Sequence, residues 1–180
     1  MADRPDFTVR VADERDVDAL ARLRRAWLEE RVGRPVDDPA FEPAFAQWWR
    51  SELPRRTFWI AETGTERTGF VAVGSLNVVE IVHMPRPGAR GGAIGHVGNA
   101  FVIASWADRG VPRALLARAV AHARQRRYRR LVLAPTPGSA PFYRRAGSPP
   151  RARRCWYWAR SPRRPPRGAT AVSRLGPWPE

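Results

Sequence analysis

The sequence predicts a single α/β domain on a mixed sheet, and three observations carry that prediction. The chain has 180 residues, the length of one domain. Hydrophobic residues make up 43% of it, with 8 Trp and 7 Phe, so there is enough apolar surface to fill a core. The apolar period switches along the chain between two and about 3.6, in the order β-α-α-β-β-β-α-β-α, with no internal repeat.

Each element has its own signature. Phe7-Thr8-Val9-Arg10-Val11 alternates apolar and polar, as a half-buried strand does. Asp13, with Asp16 three residues on, can cap the helix that follows, whose Val17, Leu20, Leu23, Trp27 and Leu28 share one face. A Gly33 to Pro39 break leads into Phe41, Phe45, Trp48 and Trp49, again at helical spacing, and that helix should end near Leu53-Pro54. Trp48 and Trp49 read as core and as the lip of a cleft. Thr57 to Ala61 is a strand, Thr63 to Glu66 a turn, and Gly69 to Met84 a long Val- and Ile-rich strand returning antiparallel. Pro85 to Gly92 is expected to be a loop. His96 to Ile103 is another strand, Pro112 to Arg126 a helix, Arg130 to Leu133 a short buried strand and Ser139 to Ala146 a short helix.

Charge is distributed unevenly. The first 80 residues hold 12 Arg and 15 acids and the rest hold 20 Arg and 2 acids, so the two parts carry −3 and +18. The second part should therefore seek an anion, either a phosphorylated cofactor or nucleic acid. All 32 basic residues are Arg, which GC-rich codon usage explains. The longest apolar stretch is broken by Ser75, Asn77 and Glu80, and Asp3, Arg4 and Asp6 stand where a signal peptide needs an apolar run. A soluble, cytoplasmic protein without membrane association is the expectation. Cys155 is the single cysteine, and His83, His96 and His122 form no metal-ligand spacing with it, so neither a disulfide nor a metal site is expected.

Chemistry concentrates between His96 and Arg118. A strand there feeds a Gly-containing loop at a helix N-terminus, which presents unpaired backbone N–H groups and the positive end of a dipole, as a pyrophosphate requires. Arg109 and Arg113 add full charges beside it. Three segments, Phe101-Val102-Ile103, Asp108 to Leu116 and Pro141-Phe142-Tyr143-Arg144-Arg145-Ala146-Gly147, resemble GNAT family N-acetyltransferases. The resemblance covers about residues 7 to 148 in element order and implies a GNAT-like, mostly antiparallel mixed sheet flanked by helices. It further implies acetyl-CoA as acetyl donor and transfer of its acetyl group to a primary amine.

Carried over by position, the pyrophosphate motif falls on Ala107-Asp108-Arg109-Gly110-Val111-Pro112, with Arg113 adjoining. The strand that meets the pantetheine arm falls on Phe101, Val102 and Ile103, with an oxyanion donor near Val102 or Ile103. The tyrosine that protonates the departing thiolate falls on Tyr143, and its Phe-Tyr-x-x-x-Gly context also matches. Two positions depart from the motif: Ala107 stands where Arg or Gln is usual, and Pro112, which lacks an N–H, stands where Gly or Ala is usual. Both departures remove groups that would bind a phosphate, and a catalytically decayed relative is one alternative.

Glu80, His83, His96 and Asn99 are the candidates for deprotonating the amine. In the family the two N-terminal helices line the acceptor cleft, so Arg22 to Trp49 would select the acceptor, a small-molecule or peptide amine. The mixed acidic and aromatic content of that segment suits a small cationic or amphipathic amine. A homodimer through the sheet edge is compatible with such a fold. The other alternative is a nucleic-acid-binding basic domain, gripping through Arg124, Arg126, Arg127, Arg129 and Arg130 with Tyr128 stacked on a base, although such a charge run ordinarily forms a solvated helix end. No G-x-S-x-G elbow, Walker loop or dinucleotide fingerprint occurs, since Gly92, Gly95 and Gly98 have the wrong spacing.

The acetyltransferase-like domain is thus expected to occupy residues 1–148. Residues 149–180 contain 8 Arg and 7 Pro and only one strand-like run, Cys155-Trp156-Tyr157-Trp158. Two readings of this segment follow: an Arg/Pro-rich tail disordered over most of its length, or sequence read out of frame. If each codon is taken as the third base of one residue and the first two of the next, Cys155 to Ala159 spells Leu-Val-Leu-Gly whatever the synonymous codons were. An apolar strand is thereby hidden where the sheet needs its last one, and a single-base deletion near codon 148 accounts for it. Reading the coding DNA over codons 140–180 should show the shifted frame open and strand-like; a stop codon soon after Gly147 in that frame would refute the deletion.

Overall fold

The computed structural model describes residues 6–88, 91–136 and 138–146, and the backbone of 150–152 and 155–159. Its elements in order are β1 (Thr8–Val11), α1 (Val17–Val32), α2 (Phe41–Glu52), β2 (Arg56–Thr65), β3 (Gly69–His83), β4 (Gly92–Val102), α3 (Val111–Gln125), β5 (Arg130–Leu133), α4 (Ala140–Arg145), β6 (Pro150–Ala152) and β7 (Cys155–Ala159). The strands form one sheet in the order β1-β2-β3-β4-β5-β7-β6. Every neighbouring pair is antiparallel except β4 and β5, which run parallel with α3 as their crossover.

The start of α1 follows the sequence. The Asp13 carboxylate accepts from Arg15 N and that of Asp16 from Asp13 N, the reciprocal caps of a capping box around a short 3-10 turn. Gly33, at φ +72°, ends the helix. One face of the sheet takes α3: Trp59, Val73, Leu76, Val78 and Val97 bury against Val111, Leu115, Leu116 and Ala119, in a cluster that also contains Tyr143 of α4. The opposite face takes α1 and α2 in a smaller cluster of Val17, Leu20, Trp49, Phe58 and Ile60. This asymmetry leaves room on the second face for a cavity.

Two expectations need correction. The stretch 85–92 is not wholly loop, because β4 begins at Gly92, where Gly92 pairs with His83. Poor strand propensity is outweighed there by close packing: an added Cβ would meet Arg129 Cδ at 3.1 Å from Gly92, and Leu131 Cδ1 and the Tyr128 ring at 2.8 Å from Gly95. The sheet also continues past residue 148. Cys155–Ala159 pairs antiparallel with β5, Tyr157 opposite Val132, so the sequence as written supplies a strand where the shifted frame also spells one. The remainder of the expected tail, 160–180, lies outside the described residues.

A three-way ion pair fastens the first strand. Arg10 donates to both oxygens of Asp16, at 2.7 Å each, and to both of Glu62, at 2.9 and 2.8 Å, and both carboxylates are buried. Burial pushes the Asp16 carboxyl up, but the Arg10 guanidinium and the Asp13 N–H outweigh it and hold the group below its ordinary value. Arg10→Ala would leave two buried carboxylates facing each other. Because Arg10 itself is partly exposed, urea unfolding near neutral pH should show a loss of about 2 kcal/mol, below the range for fully buried pairs. A carboxyl with a depressed folded-state pKa stabilises above its unfolded value and loses that contribution as pH falls through the folded one. The native chain should therefore lose stability on acidification below about pH 4, and the variant should show a weaker dependence.

Candidate functional site

The sheet opens between β4 and β5. Their pairing covers only Gly95 with Leu131 and His96 with Val132, leaving the remaining residues of β4 to Val102 with no strand on that side among the described residues. Further along, the β3–β4 register slips between Ser75 and Asn77, and Asn99 takes a left-handed conformation at φ 48°. Ile103 N donates to Val73 O at 3.0 Å, so its N–H is spent on β3. Because successive N–H groups of a strand alternate in direction, that of Val102 points to the open side. Of the two positions expected to offer an oxyanion donor, Val102 is available and Ile103 is not.

Beyond β4 a 3-10 turn (Ala104–Trp106) leads to Gly110, at φ +82°, and into α3. Ala114 N donates to Gly110 O at 3.0 Å, the bond that opens the helix, and of the residues before it Gly110 and Arg113 are exposed whereas Val111 is buried. Pro112, the second residue of α3, contributes none. Arg109 is exposed and stacks over Trp106, 4.9 Å from the ring centroid, and Arg113 is exposed on the first turn. Ala107, an exposed methyl, offers the loop no side-chain donor. The predicted residues Phe101, Val102, Ile103, Arg109, Gly110, Val111 and Arg113 thus lie on one continuous stretch from the strand end to the helix start. Val111 itself is fully buried, backbone included, so of the expected pyrophosphate-facing residues it is the one that offers a ligand no accessible group.

Tyr143 lies on α4, 8% exposed, with its ring 5.0 Å from that of Phe142. Burial pushes its hydroxyl above the ordinary tyrosine value, so it stays protonated through neutral pH.

On the opposite face α1, α2, β2, β3 and β4 enclose a cavity of about 330 Å³. Trp27, Phe41, Phe45, Trp48, Phe58 and Phe101 supply its aromatic walls, and Arg24, Ser75, Asn77 and Asn99 its polar groups. Phe101, expected beside the cofactor, therefore turns its side chain into this cavity. Trp48 is at the lip and Trp49 in the core, as the helical spacing predicts. Three of the five acids of the α1–α2 segment are engaged elsewhere: Glu42 pairs with Arg25, Glu29 accepts from Val36 N and Asp38 from Ala40 N; Glu30 and Asp37 are not among the lining residues. Arg25 also donates to Val36 O and Asp38 O, which straps the interhelical loop. The expected acidic character of the cleft is thus absent from its lining.

The floor of the cavity holds an arrangement that patterning could not show. Buried Glu52 grips Arg56, whose Nη1 donates to Asn77 Oδ1 at 2.7 Å. A guanidinium can only donate, so it fixes the amide oxygen on its own side. Asn77 Nδ2 is left buried without a hydrogen-bond partner among the described residues.

Of the base candidates, only Asn99 reaches this cavity. Glu80 accepts from Arg126 and Tyr128 in a separate polar cleft, and those hydrogen bonds hold its carboxyl below its ordinary value. His96 is held below its usual value by desolvation and then by Arg56, and His83 ends β3 outside the lining. Tyr128 cannot stack on a base, because it is buried and its hydroxyl, pushed up to about 12 by burial and by Glu80, points to that carboxylate. Among the described residues no helix is long and apolar enough to cross a membrane.

A family model described as the acetyltransferase (GNAT) family matches residues 19–147. Among solved structures, a predicted acetyltransferase from Clostridium acetobutylicum, solved with acetyl-CoA, is 18% identical with a TM-score of 0.65, covering 87% of this chain and 96% of its own. A GCN5-related N-acetyltransferase from Ralstonia eutropha is 24% identical with a TM-score of 0.62, covering 80% and 93%. A GNAT family acetyltransferase from Brucella melitensis, in complex with acetyl-CoA, is 19% identical with a TM-score of 0.60, covering 90% and 93%. At these identities the likeness is one of fold. No curated protein sequence gives a significant match.

The site depends on where β4 and β5 stop touching. Gly95→Ala would drive a methyl into Leu131 and Tyr128 and should cost about 1–3 kcal/mol in urea unfolding. Gly98→Ala, whose nearest neighbour is Asn77 Oδ1 at 3.3 Å, should cost less; equal losses would mean that the close approach at Gly95 carries no special weight.

Proposed function

The chain belongs to the acetyltransferase (GNAT) family, and from that premise we propose that it is an acetyl-CoA-dependent N-acetyltransferase acting on a primary amine. One observation carries the reading: the opening between β4 and β5 ends at the N-terminus of α3, so an unpaired strand edge leads to the exposed Gly110 and Arg113 at a helix start. A long ligand with an amide-bearing arm and a pyrophosphate needs that pairing of features. The residues present fit such a group with one donor fewer than a helix start without proline would give. The backbone from Phe101 to Ile103, through the groups not already bonded to β3, would hold the arm, and Gly110 and Arg113 with the Arg109 guanidinium would hold the pyrophosphate, beside the buried Val111. Asp108, exposed beside them, subtracts from that attraction.

When bound, acetyl-CoA supplies an acyl group activated as a thioester. The chain's own groups do the rest. The Val102 N–H, facing the opening, is placed to orient and polarise the acyl oxygen. Tyr143, kept protonated by its burial, holds a proton at Oη for the leaving sulfur. Among the described residues no carboxylate lines the aromatic cavity, so a bound amine gains no counter-ion from them and is favoured in the neutral form that can attack.

Calorimetric titration with acetyl-CoA tests the reading directly. The native chain should bind, and Pro112→Ala, which restores one N–H, should bind about ten- to a hundredfold tighter. Tyr143→Phe should lower kcat by about a hundredfold while leaving acetyl-CoA affinity unchanged. A folded chain that binds no acetyl-CoA, with or without Pro112, would overturn the proposal.

A further inference from the structure

We infer that the aromatic cavity selects an apolar primary amine that also carries a carboxylate, a molecule of the amino-acid class, with Arg24 as the carboxylate's partner and Asn77 as a second donor to its oxygen atoms. The acetylation of such a molecule rests on the acetyltransferase reading above; its binding does not.

Among the described residues, Arg24 is the only charged one lining the cavity. It is half-buried, and no carboxylate pairs with it among the described residues. Its single hydrogen bond runs from Nη1 to Asn99 Oδ1 at 3.1 Å, and its guanidinium lies over the Trp27 ring, 4.0 Å from the centroid. One N–H is thus used and the guanidinium plane is fixed, which leaves most of the donor fork free. A guanidinium held in this way, partly out of water and without a counter-ion, gains most from an anion that arrives with the ligand. Desolvation, together with repulsion from Arg31, already disfavours the charged form of Arg24, and a carboxylate would relieve both.

Asn77 supplies the second, independent observation. It is fully buried at the cavity floor, its oxygen is occupied by Arg56 and its Nδ2 donates to nothing among the described residues. An orphaned buried donor costs about 1–3 kcal/mol. Nδ2 is closed off beneath the cavity surface, so a ligand oxygen recovers that cost only as the floor side chains shift to admit it. Six aromatic rings surround these two groups, so the rest of the ligand must be apolar to displace water from the cavity. A cationic acceptor without an acid is disfavoured, since Arg24 repels it and no lining residue offers it a counter-charge.

The test is equilibrium binding of three probes of similar shape to the full chain, by calorimetry: L-phenylalanine, 3-phenylpropionate and phenethylamine. The two carboxylates should bind at least about tenfold tighter than phenethylamine. Arg24→Met, which keeps the apolar stem, should abolish that preference, and Arg24→Lys should retain part of it. If Arg24→Met does not fold, Arg24→Gln makes the same comparison. Phenethylamine binding as tightly as the carboxylates, failure of both carboxylates to bind, or a preference that survives loss of the guanidinium would each overturn the inference. Titrating acetyl-CoA into the same preparation keeps the two readings apart. Acetyl-CoA binding without a carboxylate preference overturns the acceptor assignment alone; a carboxylate preference without acetyl-CoA binding overturns the acetyltransferase reading and leaves the cavity assignment standing.

Discussion

The β4–β5 pair is hydrogen-bonded at two residue positions and then lets go, and the layout of both ligand-facing surfaces depends on that short contact. Parallel strands need a crossover, and here the crossover is α3, whose first turn must start where β4 ends. The strand that parts from its neighbour thus delivers an unpaired edge straight to a helix N-terminus. Gly95 allows the contact to be close at its one tight point, since a Cβ there would meet Leu131 and Tyr128. The slip at Asn99 then turns Phe101 toward α1 and α2, so one strand faces the opening with its backbone and the cavity with a side chain.

The two faces of the sheet are packed to different standards. On the α3 side small and branched residues such as Ala119, Val111 and Val78 fill the space almost without exposure. On the α1–α2 side large aromatic rings stand around an unfilled volume, and Trp48 remains 37% exposed at its lip. Aromatic surface left uncovered in this way forgoes burial energy at about 25 cal/mol per Å². The loss is offset by polar anchors that also hold the walls: Arg10 joins β1, β2 and the turn before α1, Arg25 straps the interhelical loop, and Glu52 with Arg56 ties the end of α2 to β3.

Charge is spent locally more than its total suggests. The basic second part of the chain does place Arg109 and Arg113 at the helix start, where an anion would lie. Arg126 is committed to Glu80, and Tyr128 is buried beneath the same carboxylate. Among the described residues, the cation in the lining of the aromatic cavity is Arg24 of α1, from the less basic first part, where Glu29 and Glu42 turn to other partners.

What the sequence determined by itself was most of the elements and the glycine-containing turn between β4 and α3, because both are written in short-range patterns. Helical spacing put Leu20 and Leu23 on one face, alternation marked Thr8–Val11, and a glycine between a strand and a helix start placed the left-handed turn at Gly110. Tyr143 was legible for the same reason, as part of a contiguous segment. Only the tertiary structure decided the start of β4, since Gly92 and Gly95 have no strand preference of their own and are held by Arg129, Tyr128 and Leu131 from elsewhere in the chain. It also decided the acceptor side. Arg24, Asn77 and Asn99 are separated by more than fifty and by twenty-two positions, share no periodicity, and meet only because two helices lie across a bulged sheet. The acids of the α1–α2 segment looked available in sequence because composition cannot say which hydrogen bonds a side chain has already made.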